Sequence, residues 1–258
     1  MIMGSISRKD TCTGTFDLEN QFDINNWIRE IVNGKTFADL GGLWNTVGEK
    51  ISVAALAGAS EYTMMDMSSF ESEWWPKFRT RLDEHGVSGA KEKVLDVMDF
   101  DAVKCVKPVD VLYCSGVIYH IPNYFKFMRN IGKLTNDYLI LVSMIIPELI
   151  SNAAGAINTE SSGILPHLGL SRTQKKIIET HFEGSWAEEV RIVNTDDHLL
   201  IDPKDDESFN NYGPWWWFFT ARYLNNLLLD FGWDIIEHKC NWQGKRYAFL
   251  CRKKKVTK

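Results

Sequence analysis

Phe37-Ala38-Asp39-Leu40-Gly41-Gly42-Leu43-Trp44, followed by Tyr62-Thr63-Met64-Met65-Asp66, is the part of this chain that decides its fold. An apolar strand runs into paired glycines, a helix follows, and a second apolar strand ends in an acid. Open α/β sheets hold a nucleoside in this way. The glycines let backbone approach the ligand, and a carboxylate at the end of the next strand receives ribose hydroxyls. The separation of Gly41 from Asp66 exceeds the roughly 20 residues of the dinucleotide fingerprint. Leu43 stands where a G-x-G pattern has its second glycine. The turn specifies a nucleoside, not which one.

Outward from this turn, helices and strands alternate. A helix is expected over 23–32, stopped by Asn33-Gly34. Strands are expected at 36–40, 62–65, 93–97, 109–114 and 138–144, with helices at 46–57, 74–84 and 123–134. Asp99-Phe100-Asp101 reads as an acidic turn. Such alternation indicates a parallel sheet with helices on both faces. It stops after residue 146. Residues 147–214 show no strand alternation and one convincing helix, with Ser171 as N-cap and Gln174 three residues on. A segment this long between regular elements is usually functional, so 147–217 is expected to be an insertion that forms a lid or binds an acceptor.

Thr220 then caps a helix over 221–231 that Gly232 ends. Strands at 233–239 and 246–252, joined by Asn241-Trp242-Gln243-Gly244, are too close in sequence for any pairing but antiparallel. The expected fold is α/β: a Rossmann-like, seven-stranded, mostly parallel sheet with helices on both faces and an antiparallel C-terminal strand. A helical or loop insertion follows the fifth strand. Three regions are expected: an N-terminal arm and helix (1–34), a nucleoside-binding domain (35–146 and 218–258), and the insertion.

Composition narrows the class. The 258 residues, 45% of them hydrophobic, suit one large α/β domain. A net charge of −5 is not a nucleic-acid footprint. The one basic run, Arg252-Lys253-Lys254-Lys255 with Lys258, reads as a solvated tail, and residues 1–18 as loosely draped. Five cysteines lack metal-type spacing, and no apolar run is long enough to span a membrane. The expectation is a soluble, reduced, cytoplasmic protein with no metal site and no membrane partner. No Walker turn, nucleophile elbow or H-E-x-x-H pair competes with the nucleoside signal.

With these residues in view, the chain resembles the class I S-adenosylmethionine-dependent methyltransferases over roughly 35–146 and 218–252. Asp39-Leu40-Gly41-Gly42 matches that family's acid-aliphatic-glycine turn. Asp66 matches the acid that takes the ribose hydroxyls, and Asp99 with Phe100 the position flanking the adenine. Ser115-Gly116-Val117-Ile118-Tyr119-His120-Ile121-Pro122 resembles the signature G-V-L-Y-H-L-P after the fourth strand. The resemblance implies S-adenosyl-L-methionine as cofactor. Its implied contacts are Asp39, Gly41, Gly42, Leu43, Trp44, Asp66, Met67, Asp99, Phe100, Ser115 and Tyr119. The Gly-Val-Ile-Tyr-His segment and the later Trp-Trp…Leu…Gly-Trp pattern are also similar to enzymes that modify the wobble uridine of transfer RNA.

Methyl transfer from a sulfonium is an in-line displacement, so alignment supplies much of the rate. Aromatic faces attract the sulfonium cation, which makes Tyr119 and Trp44 candidates to line it. His120, after the fourth strand, is the candidate base beside Tyr119, the alternative being a histidine that packs the loop. His167 and His181 are further base candidates in the insertion. Adjacent tryptophans cannot all face one side of a regular element. Trp215 and Trp216, with Tyr212 and His167, are therefore the candidate acceptor contacts. The expected function is methyl transfer to a small molecule, a sugar or natural-product intermediate. Modification of transfer RNA and a non-catalytic, regulatory methyltransferase-like protein are the alternatives, with nucleic acid disfavoured by the charge.

Overall fold

The computed structural model describes residues 24–43, 48–167, 169–182, 215–242 and 244–255. Five parallel strands form its centre: β1 (Thr36–Leu40), β2 (Glu61–Asp66), β3 (Lys91–Val94), β4 (Val109–Ser115) and β5 (Thr135–Met144). Their crossovers carry α2 (Ile51–Leu56), α3 (Trp74–Glu84), α4 (Phe100–Lys104) and α5 (Tyr124–Leu134), after a leading α1 (Ile24–Ile31). The insertion holds a hairpin of β6 (Leu149–Asn152) and β7 (Gly155–Asn158), then β8 (Ile164–Pro166) and α6 (Arg172–Phe182). The chain closes with β9 (Trp217–Phe219), α7 (Ala221–Asp230), β10 (Trp233–Asn241) and β11 (Arg246–Lys253).

The seven-stranded sheet has the order β10-β11-β5-β4-β1-β2-β3. β11 lies between β5 and β10 and is antiparallel to both. The fold is the expected Rossmann-like one with its antiparallel C-terminal strand.

Successive strand side chains face opposite sides, and both sides are buried here, so β1, β4 and β5 read as nearly continuous apolar runs. Phe37, Met64, Val111 and Tyr113 pack with Trp27, Ile28, Ile51 and Trp75 from α1, α2 and α3. Ala38, Leu40, Leu112 and Cys114 pack on the other side with Phe127 and Ile131 of α5 and Leu224 of α7. Ligand crevices in such sheets open at the carboxyl ends of the strands. Here that edge carries Asp39, Asp66 and Ser115.

Local structure departs from the sequence reading at definite places. β3 ends at Val94 because Asp96 Oδ1 takes the Met98 N–H at 2.7 Å and turns the chain. Asp99 does not sit in a loose turn. Its carboxylate caps α4, accepting the Asp101 and Ala102 N–H groups. Strands exist in the insertion after all, where small and polar residues (Ser151, Asn152, Gly155, Ala156) hide the alternation. β8 pairs with β9 across the expected boundary at 217/218. β11 runs one residue past the expected strand, so Lys253 belongs to it rather than to a tail, its Nζ donating to the Gly132 and Thr135 carbonyls. The caps of α6 and α7 are as expected: Ser171 and Gln174 exchange hydrogen bonds, and Thr220 Oγ accepts from the Tyr223 N–H. The arm 1–23, the start of the expected helix at 46 and Lys258 lie outside the described residues.

Phe37 is fully buried in the strand that leads to the glycine turn. Phe37→Ala is expected to cost about 3–5 kcal/mol, as large-to-small core changes do. Urea denaturation followed by circular dichroism measures it, and a loss under about 1 kcal/mol contradicts this packing.

Candidate active site

Asp39, next to last in β1, has its side chain fully buried. Oδ2 accepts the Lys50 N–H at 2.8 Å, whereas Oδ1 is buried without a hydrogen-bond partner. Burial pushes its pKa up to about 8; the Lys50 N–H opposes this and the Glu49 carboxylate adds to it. Gly42 packs against this acid, and a Cβ there would lie 2.5 Å from the carboxylate. Gly41, at φ +80°, abuts Val117 of the turn after β4.

Leu43 settles what replaces the missing glycine. Its side chain is fully buried in the core beside α2 and α3, facing away from the ligand edge. Its N–H reaches Asp66 Oδ2 at 3.3 Å, and Asp66 Oδ1 accepts the Ser68 N–H at 2.9 Å. The loop is thus tied back onto the acid that ends β2. Met67 follows, half-buried. Trp44 and Tyr212 lie outside the described residues.

Beyond β4, Gly116 takes a positive φ and the chain enters a single 3-10 turn over Ile118–His120. This turn presents Tyr119 and His120. Tyr119 is buried, with ring centroids 4.5 Å from both Trp215 and His120. Burial raises its hydroxyl pKa, so it stays neutral, and Arg246 pulls the other way. His120 is half-buried and meets Trp215 edge-on. Trp216 donates its backbone N–H to the Tyr119 carbonyl at 2.8 Å, and Trp217 Nε1 donates to the Ile121 and Pro122 carbonyls. The three tryptophans divide around the post-β4 turn: Trp216 binds it through its backbone, Trp217 through its indole N–H, and Trp215 lies tilted against Tyr119.

Not every expected residue reaches this cluster. Asp99 is exposed and committed to its helix cap. Phe100 lies beneath Lys104, Arg129 and Lys133, whose charged groups sit 4.1, 4.8 and 3.6 Å from its ring centre. Asp96, half-buried just past β3, is the acid nearer the strand end. His167 is buried, with Nδ1 2.9 Å from the Trp215 carbonyl. Burial and Lys175 lower its pKa. It bears on the site through Trp215, which it holds.

Sequence reasoning passed over Lys245 and Arg246. Arg246 Nη2 donates to Ser115 Oγ at 3.2 Å, and its guanidinium lies 4.9 Å from the Trp242 ring centre. A basic pair opening the last strand gives no local signal. Only the pairing of Arg246 with Met144, at the end of β5, brings it to the ligand edge. Among the described residues no group of His, Cys, Asp or Glu is placed to hold a metal, and no helix is long and apolar enough to cross a membrane.

No protein-family model matches this sequence, and no curated protein matches it. Solved structures do. Magnesium protoporphyrin IX methyltransferase from Synechocystis PCC 6803 aligns over 89% of this chain and 80% of its own, at 14% identity and TM-score 0.53. The 1,6-didemethyltoxoflavin-N1-methyltransferase of Burkholderia thailandensis aligns over 90% and 78%, at 13% identity and TM-score 0.50. An O-methyltransferase family protein from the same organism covers 89% of this chain and 53% of its own, at 9% identity and TM-score 0.53. The fold is the Rossmann-like fold of class I S-adenosylmethionine-dependent methyltransferases.

The buried Asp39 gives a pH signature. Below about pH 4 the carboxyl is protonated whether folded or not, so burial carries no penalty. As pH rises towards 8, the unfolded chain ionises first and stability falls. Asp39→Asn is therefore expected to stabilise the protein at pH 8 by roughly 2–5 kcal/mol and to lose that gain towards pH 4. Denaturation at both pH values tests this; an equal effect at both contradicts a protonated Asp39.

Proposed function

We propose that this chain is an S-adenosylmethionine-dependent methyltransferase acting on a small molecule, a sugar or natural-product intermediate being the expected class. The observation that carries the reading is Asp39 Oδ1, a buried carboxylate oxygen without a partner, at a glycine turn whose bulk limit is set by the same carboxylate. A buried polar oxygen left without a partner costs about 1–3 kcal/mol, and a ligand bearing an ammonium group would remove that cost by drawing Asp39 into its ionised form. The methionine portion of the cofactor has that chemistry. Asp66, one strand over, keeps lone pairs for ribose hydroxyls beyond the two it spends on Leu43 and Ser68.

When bound, S-adenosylmethionine supplies an electrophilic methyl group for in-line displacement. The chain's own residues align and shield. Tyr119 and Trp215, in tilted ring contact, offer aromatic faces suited to a cation. Gly41 and Gly42 admit backbone approach, and Ser115 with Met67 borders the same edge. His120, half-buried in the post-β4 turn, is the proposed base for a hydroxyl or amine acceptor. The core-facing side chain of Leu43 leaves the turn clear, which supports a catalytic over a regulatory reading.

Calorimetry with S-adenosylhomocysteine is expected to show binding, with Asp66→Ala weakening it roughly 10–100-fold through lost hydrogen bonds to a charged group. No binding to the wild-type protein overturns the proposal. A second reading, transfer RNA as substrate, is favoured by the three cations gathered around Phe100 on the α4–α5 face. It requires salt-dependent binding of transfer RNA that weakens in Arg129→Gln. Absence of binding at low salt removes it.

A further inference from the structure

We infer that the methyl acceptor carries an oxyanion, a carboxylate or phosphate group, and that Arg246 receives it at the carboxyl edge of β4 and β5. The inference rests on the methyl-transfer reading only in calling the ligand an acceptor.

Arg246 opens β11 opposite Met144, the last residue of β5. Its guanidinium is half-buried and faces the ring of Trp242, which itself holds a left-handed φ of 51°. One N–H is spent on Ser115 Oγ. No carboxylate among the described residues pairs with it, unlike Arg79 with Glu92 and Arg252 with Asp137. A planar fork of N–H donors, largely unspent and partly withdrawn from water, is suited to bidentate capture of a carboxylate or phosphate.

The surroundings have the same polarity. Lys245, the preceding residue, is 7% exposed. His181 of α6 is close enough to feel its charge. Burial and that charge hold the imidazole neutral, with a pKa lowered to about 4. His181 Nε2 is buried and lacks a partner, as is the Trp215 indole N–H, beside Phe182. Guanidinium and indole N–H groups are donors without acceptor capacity. A ligand that satisfies them brings acceptor atoms and negative charge. An uncharged sugar would leave the guanidinium uncompensated at the point where its own burial is completed.

Aromatic anions probe this directly, because Trp215 and Trp242 supply ring surface. Benzoate, phenyl phosphate and neutral benzamide are titrated into the wild-type protein, with and without S-adenosylhomocysteine, and followed by calorimetry. At least one anion is expected to bind while benzamide does not; the stronger of the two distinguishes carboxylate from phosphate. Arg246→Gln is expected to weaken that anion at least tenfold and leave S-adenosylhomocysteine affinity unchanged, with Arg246→Lys intermediate. Equal binding of benzoate and benzamide, no anion binding, or retained affinity in both variants overturns the inference. So does loss of S-adenosylhomocysteine affinity in Arg246→Gln, which would assign the guanidinium to the methyl donor's carboxylate. If the wild-type protein binds anions through Arg246 but not S-adenosylhomocysteine, the oxyanion site stands and the methyl-transfer reading falls.

Discussion

Only a hydrogen fits between Gly41 and the side chain of Val117, because a Cβ built at position 41 would lie 2.5 Å from Val117 Cγ2. That close approach brings the turn after β1 against the turn after β4. The Gly41 N–H meanwhile bonds to the Met65 carbonyl at 2.8 Å, tying in the end of β2. Three strand ends are thereby fixed relative to one another, and with them Asp39, Asp66 and the Tyr119 turn. A left-handed φ adds strain for any residue with a Cβ, so position 41 is constrained twice over.

The insertion is fastened to this frame from above. β8 pairs with β9, and His167 holds the Trp215 and Trp216 carbonyls through its ring and its backbone N–H. Thr220 caps α7 and also donates to the Gly163 carbonyl. These bonds join 163–167 to 215–220, the residues that place the aromatic wall over Tyr119. The wall is therefore built by the insertion and the core together.

Much of the frame was legible because periodicity and punctuation coincide in it. β1 and α3 follow the expected bounds, and Thr220 and Gly232 mark α7 by cap chemistry that works at short range. The acids at the ends of β1 and β2 were legible for the same reason: strand, turn and charge lie within a few residues. What escaped depends on partners distant in sequence. Asp99 looks like a ligand acid but is spent on its own helix, and nothing in the sequence separates it from Asp96 until the end of β3 is fixed. Leu43 reads only as a missing glycine until the core beside α2 is seen to receive it. Arg246 acquires meaning only from Ser115 and Met144, each on another strand.

The place of β11 also governs how the molecule comes to be. It is the last strand in sequence, yet it sits inside the sheet, between β5 and β10. Synthesis from the amino terminus exposes the edge of β5, Thr135–Met144, well before its neighbour leaves the ribosome. That edge belongs to one of the most apolar strands of the protein, and an unpaired apolar edge is a template for pairing with other chains. The nascent protein therefore passes through a stage in which its core is formed but unsealed. Emergence of β11, rather than formation of the β1–β4 half, is the event that seals this edge against aggregation.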